Sequence, residues 1–491
     1  MLILKNLTAQ LGPWSSRPGP LYRRLADALR AAVERGEIEV GRRLPPERAL
    51  ARQLAVSRTT VVQAYDLLRS DQWLESRQGS GTWVSRAPSA AAGLGEWTPA
   101  GTTVMMKRDT FVAGLTPRPG TIDLTCACLP PLPGLIESSV AEVGEALGEA
   151  GRDHGYSALG LPALRRAIAR HLEARGLPTP ETQILVTSGA QQAIALAGAL
   201  LLRRGDCALV ESPTFLGALD ALGATGATLA AVEVGPDGVR PDALRAALRA
   251  HPARLLYLTP TFHNPTGTTM TESARREIAR LASDAHLTIL EDESLVDIAL
   301  GPAPPPSMAA LAPNAPVISI GSLSKLCWGG LRIGWIRAPE PVLTRLASLK
   351  VASDLGSSML SQVVAVRLLE RADEVRRLRR AQITGHRDAL AAALRERLPE
   401  WSWTLPPGGL SMWARLPHGD ASEFAQVALR HGVSLLSGST LSADGGHPQH
   451  LRLVYVHEPA VIAEAVSRLA TAWQAYAPMA IPAGREVGVI V

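Results

Sequence analysis

From residue 184 onward the chain repeats one unit: a short apolar run, a turn of small or polar residues, then a longer stretch with helical periodicity. ILVTSG (184–189) leads into AQQAIALAGALLL, and CALVESPTF, LLYLTPTFHNPTG, LTILEDES and PVISIGSLSK continue the series. Strand-like runs alternating with helical ones predict an α/β body whose mainly parallel sheet is covered on both faces. Ligands in such sheets bind past the carboxyl ends of the strands, where turns feed helix N-termini. The unusual polar clusters of this body all fall at those ends.

Composition narrows the classes. No apolar stretch reaches the ~18 uncharged residues of a membrane span, and MLILKNL at the start is too short for a signal-peptide core, so a cytoplasmic, non-membrane protein is expected. Cys126 and Cys128 form one C-x-C while Cys207 and Cys327 stand alone, which is neither a disulfide framework nor a zinc pattern. No metal is expected. Residues 1–86 carry a charge balance of +6 and residues 87–491 a balance of −1. That asymmetry suits a small nucleic-acid-binding module on a near-neutral body, though a solvated basic face gives the same balance.

The first 86 residues read as three helices and a hairpin. Leu21, Leu25, Leu29 and Val33 recur every fourth position before a stop at Gly36, and a second helix begins at Pro45-Pro46 and carries Leu50 and Leu54. Ser57 caps a third, with Val61, Val62, Tyr65 and Leu68 inward and Arg58, Thr59 and Thr60 on its exposed first turn. Residues 77–84 (RQGSGTWV) place a glycine turn between short β-like segments. This is the order of a winged helix-turn-helix, whose third helix enters the major groove; a small helical bundle with a solvated arginine face is the alternative. The stretch 41–84 closely resembles the DNA-binding domain of GntR-type bacterial regulators. The resemblance implies a double-stranded DNA operator as partner, with Arg42, Arg43 and Arg48 against phosphates, Ser57 capping the helix, Arg58, Thr59 and Thr60 at bases or backbone, and the Gly79–Gly81 wing along the minor groove.

Residues 87–119, rich in Ala, Gly, Pro and Thr, read as a linker; the body runs from 120 to 480, with a smaller C-terminal subdomain from about 381, and 481–491 form a tail. Among 50 basic residues only Lys5, Lys107, Lys325 and Lys350 are lysines. Lys5 is terminal, Lys107 lies in the linker and Lys350 on a stretch that reads as helix, so Lys325, on a Ser/Gly turn after a β-run, is the candidate for Schiff-base chemistry. Ser188, Gly189, Ala190 and Gln191 at a helix start suit a phosphate, with Ser322 and Arg332 adding a hydroxyl and a planar cation. Asp292 is an acidic partner for a pyridinium nitrogen, Asn264 a donor to a ring oxygen, and Phe215 either stacks on the ring or is plain core. An aldehyde cofactor carrying a phosphate fits this set.

Tyr156, the run 160–165 (GLPALR), Asn264-Pro-Thr-Gly267, Ser322-Leu-Ser-Lys325 with Arg332, and Leu451-Arg-Leu453 occur in that order. Over 120–480 the chain resembles the fold-type I aminotransferases, which bind pyridoxal 5′-phosphate. The resemblance implies that body, with its α+β subdomain, and that cofactor. It also implies that Arg452 binds a substrate α-carboxylate, unless it is an ordinary strand-flanking charge, and that Tyr156 reaches the cofactor phosphate of a neighbouring subunit, hence a homodimer. One departure stands out: where relatives commonly place a tyrosine two residues after the pyridinium aspartate, this chain has Ser294. Joined to a GntR-type module, this body resembles the MocR family of bacterial transcription regulators from about residue 15 to 475. The expected function is a pyridoxal-phosphate-dependent regulator sensing the cofactor or an amino compound as effector. The rival is a working aminotransferase with a vestigial module. Ser322-x-x-Lys325 also matches the Ser-x-x-Lys of penicillin-recognising enzymes, but their Lys-Thr-Gly and Ser-Asp-Asn partners do not occur.

Overall fold

The computed structural model describes residues 11, 14, 20–34, 37–77, 81–85, 120–144, 148 and 154–476. Gly36, Gly79, the 87–119 linker and the 481–491 tail lie outside the described residues. The chain divides into two compact units.

The first unit contains the expected winged helix. Helices Leu21–Glu34, Glu47–Gln53 and Arg58–Ser70 precede an antiparallel hairpin of β1 (Leu74–Arg77) and β2 (Gly81–Val84). Its core is built from Leu25, Leu29, Val33, Leu50, Leu54, Val61, Tyr65, Leu68 and Trp73, all buried. Val62, expected inward, is half-exposed, and Ala64 takes the inward place because the third helix presents 61, 64, 65 and 68 to the core. Tyr65 donates to Pro45 O at 2.9 Å, tying that helix to the entry of the second.

The same unit gathers chain-distant pieces. β3 (Ile122–Asp123) pairs parallel with Val433–Ser434, and residues 416–436 and the helical stretch from Glu464 to Tyr476 belong here too. The expected 381–480 subdomain is therefore divided between the two units. The physical link is on the helix Ala421–Arg430, whose last residue donates to Leu54 O (3.4 Å) and Ala55 O (2.8 Å), the carbonyls of the turn between the second and third helices.

The second unit is built on an eight-stranded sheet of β4 (Ile184–Thr187), β5 (Cys207–Ser212), β6 (Thr228–Gly235), β7 (Gly238–Val239), β8 (Ala253–Leu258), β9 (Thr288–Asp292), β10 (Val317–Ser322) and β11 (Gly334–Arg337). Their order is β4-β11-β10-β9-β8-β5-β6-β7. The pairs β10–β9, β9–β8, β8–β5 and β5–β6 are parallel, while β11 runs antiparallel to β4 and β10 and β7 antiparallel to β6. The five runs read from the sequence are all strands of this sheet. β4, β5 and β10 are buried throughout, as a sheet covered on both faces requires. Further along the unit, Ser402–Trp403, Ser411–Arg415 and His450–Val454 form an antiparallel set in which Arg452 stands opposite Trp413. No helix among the described residues is long and apolar enough to cross a membrane.

Candidate functional site

The carboxyl ends of β4, β5, β8, β9 and β10 carry the expected polar residues, because parallel strands deliver their following turns to one edge of the sheet. Lys325 sits on the turn after β10, half-buried, and its Nζ donates to Ala127 O at 2.8 Å and lies 3.8 Å from Cys128 Sγ. Ser322, at the end of that strand, is buried; its Oγ accepts from Ser324 N at 3.2 Å and lies 3.0 Å from Ser324 Oγ.

An anion cradle forms beside it. Gly189 has φ 118° and precedes the helix Ala190–Leu201. A Cβ on Gly189 would lie 3.2 Å from Arg332 Nη2, so that guanidinium stands over the helix N-terminus. Arg332 itself is left-handed (φ 54°) and exposed. Helix amides and a cation aimed at one place suit a phosphate. Gln191 contributes only its backbone: its side-chain amide donates to Gly217 O at 2.7 Å. Gln192, which the sequence reading passed over, accepts from Ser188 N at 2.8 Å and donates to Asp354 at 2.7 Å, fixing the turn. Phe215 is half-buried at the start of helix Leu216–Gly223, its ring against Gly217.

Asp292 ends β9 and is buried. Its Oδ2 accepts from Tyr257 Oη at 2.8 Å and its Oδ1 from Ser294 N at 2.9 Å. Burial and then the adjacent Asp292 push the Tyr257 phenol well above its ordinary range, so it is a firm donor. Ser294 Oγ is buried and makes no hydrogen bond. A hydroxyl so placed is an acceptor or donor in waiting, which fits a polar ring entering the site.

Arg452 is 4% exposed and joins two parts of the cluster. Its Nη1 donates to Asn264 Oδ1 at 3.1 Å and its Nη2 to Thr125 O. Lys325, Asn264 and Arg452 thus meet across the segment 125–128. Tyr156 does not bury itself in its own chain: it is 63% exposed, with its ring centroid 5.6 Å from that of His154.

Two residues beside Lys325 were not read as part of this cluster. Cys126 and Cys128 are not disulfide-bonded, and a hydrogen bond from Cys126, with Lys325 and Arg452 nearby, draws the Cys128 thiol down to about 5 against the opposing effect of desolvation. The C-x-C spacing was the available signal. Cys207 and Cys327 are buried, and burial pushes Cys327 up to about 12. No group of three or more metal-ligating side chains occurs among the described residues.

The basic face of the first unit is open. Ser57 Oγ accepts from Thr60 N at 3.1 Å, capping the third helix, and Arg58 and Thr59 are exposed with Thr60 partly so. Arg48 is exposed, Arg42 half-buried with Nη1 3.5 Å from Glu37 O, and Arg43 bridges to Trp83 with its guanidinium against Gly81. The five residues Arg43, Arg48, Arg58, Thr59 and Thr60 are therefore accessible together with the hairpin.

Residues 133–469 match the family model of aminotransferase class I and II, and residues 21–84 match that of bacterial regulatory proteins, gntR family. The chain is 30% identical to YdfD of Bacillus subtilis, an uncharacterized HTH-type transcriptional regulator, over 89% of this chain and 93% of that one. It is 31% identical to MocR of Rhizobium meliloti, a probable rhizopine catabolism regulatory protein, over 78% of each. Among solved structures it is similar to LysN, the alpha-aminoadipate aminotransferase of Thermus thermophilus complexed with N-(5′-phosphopyridoxyl)-L-leucine, with a TM-score of 0.69, 29% identity and coverage of 75% of this chain and 95% of that one.

Proposed function

Since the chain belongs to the MocR family, joining a gntR-type winged helix to an aminotransferase class I and II body, we propose that it is a cytoplasmic, DNA-binding transcription regulator. Its body takes pyridoxal 5′-phosphate and responds to an amino compound. The observation that supports this reading is the coexistence of two candidate sites: the capped, exposed Ser57–Thr60 turn and the Lys325, Asn264 and Arg452 cluster.

When bound, pyridoxal 5′-phosphate supplies an aldehyde for amines and a ring that withdraws electrons. Lys325 offers the amine, once it releases Ala127 O. Arg332 and the backbone amides of 189–191 would hold the phosphate, with Ser322 offering a hydroxyl. Asp292, oriented by Tyr257 and Ser294 N, would favour a proton on the ring nitrogen. Asn264 has turned its oxygen to Arg452, which leaves its amide nitrogen as the donor to a ring oxygen. Phe215, at the start of helix Leu216–Gly223, would offer the bound ring an apolar contact. Arg452 exchanges Thr125 O for the effector's carboxylate. Exposed Tyr156 serves a second subunit's phosphate, which makes the working form a homodimer.

Electrophoretic or fluorescence titration of operator DNA, with and without the cofactor and amino compounds, tests the reading. Operator binding without brisk transamination is expected, and borohydride should fix the cofactor on Lys325. Arg452→Ala should abolish the effector response while leaving basal DNA binding intact. A working aminotransferase is the second reading, supported by the intact Lys325, Asp292 and Arg452 set. Ser294 weighs against it, since its hydroxyl is too short to act as a phenol at the ring oxygen. Rapid turnover with no operator affinity would put the enzyme first.

A further inference from the structure

We infer that Cys126 and Cys128 form a thiol oxidation site built onto the Lys325 turn, in which Cys128 reacts with peroxides and Cys126 resolves the product. Three features carry this. Cys128 Sγ lies 3.8 Å from the Lys325 ammonium and is hydrogen-bonded by Cys126. Among the described residues the basic groups facing it are Arg452 and, while its amine is not committed to the cofactor, Lys325, so the anion is the favoured form of the sulfur. Finally, Cys128 is exposed, whereas Cys207 and Cys327 are buried and held as thiols.

The chemistry balances with hydrogen peroxide as oxidant. The Cys128 thiolate attacks one peroxide oxygen, the O–O bond breaks, and hydroxide leaves, giving a sulfenic acid on Cys128. The Cys126 sulfur then attacks that sulfur. The S–O bond breaks, the Cys126 proton leaves with the oxygen as water, and a disulfide remains. Two electrons pass from the sulfurs to peroxide. The disulfide removes one negative charge from beside Lys325 and Arg452. A thiol reductant restores the pair. The thiol chemistry stands on this geometry alone; its bearing on the effector site rests on the proposed function.

The test uses the full-length reduced protein. Iodoacetamide alkylation of Cys128, read by peptide mass mapping, should level off above about pH 6. At pH 6 it should run roughly tenfold faster than glutathione, because the large gain in thiolate fraction outweighs the lower intrinsic nucleophilicity. Cys207 and Cys327 serve as internal controls and should stay unmodified. Peroxide should remove two hydrogens from the peptide spanning 126–128, and Cys126→Ser should instead leave a dimedone-trappable sulfenic acid on Cys128. Lys325→Ala should move the alkylation plateau to higher pH. An alkylation rate still rising through pH 8.5, or peroxide products distributed evenly over all four cysteines, would overturn the inference. If borohydride fixes pyridoxal phosphate on Lys325 while Cys128 titrates as an ordinary thiol, this inference fails and the proposed function survives. Fast Cys128 alkylation without any fixation on Lys325 supports the thiol site and counts against the cofactor reading.

Discussion

At single positions the two body lysines have opposite fates. Lys325 reaches a backbone carbonyl and a thiol at the site, while Lys350 is fully buried and paired with Asp354 at 2.7 Å. Asp354 also accepts from Gln192 Nε2 and Gly356 N, so the pair braces, through Gln192, the turn at Ser188. Lys350→Met leaves that carboxylate without its cation and should cost about 3 kcal/mol in urea denaturation; a change below about 0.5 kcal/mol would mean the pair is dispensable. Lys350 is legible in the sequence as helical, but its burial is set by tertiary packing that its local pattern does not carry. Lys325, Asp292, Asn264 and Arg452 were legible because each ends a strand or sits in a recognisable motif. Cys128 was not, since it meets Lys325 only through a contact spanning 197 residues. Tyr257 was equally hidden: inside a β-run an aromatic reads as core, and only the neighbouring strand reveals that its hydroxyl serves Asp292.

Among elements, β4, β5, β8, β9 and β10 could be read because each is a short, mostly apolar run closed by a polar turn. β6 escaped notice because its exposure alternates along the strand, and β11 because four residues, the first a glycine, carry too little pattern. The recognition helix was legible down to its cap. Ser57→Ala removes the Ser57–Thr60 bond and should cost about 1 kcal/mol, measured by thermal unfolding of the N-terminal unit, together with weaker operator binding. The helix Ala421–Arg430 offers a pH-dependent counterpart. Burial, then repulsion from Asp420, raises the Glu423 carboxyl to about 7 despite Tyr476 and Arg52. Because the folded value lies above the unfolded one, the stabilisation is complete below about pH 4.5 and is lost as pH rises through about 7. Glu423→Gln should flatten the stability profile of the unit across that window; an unchanged slope would show that another group titrates there.

For the whole molecule the decisive feature is that linear order and compactness disagree. Residues 416–436 and 464–476 belong with the winged helix, although more than three hundred residues intervene. Cutting after residue 86 therefore removes part of the unit. Arg430→Ala deletes both hydrogen bonds to the Leu54 and Ala55 carbonyls and should cost about 1–2 kcal/mol. Faster hydrogen exchange confined to the helix-turn-helix would be its signature; global destabilisation without local change would assign Arg430 another role. The same bond has a temporal side. Arg430 follows Leu54 by 376 residues, so at roughly 5–20 residues per second the ribosome releases the turn roughly 20–75 s before the arginine that fastens it. Every newly made chain thus passes through an interval in which its DNA reader exists without its clasp. The clasp closes only once Arg430 has left the ribosome.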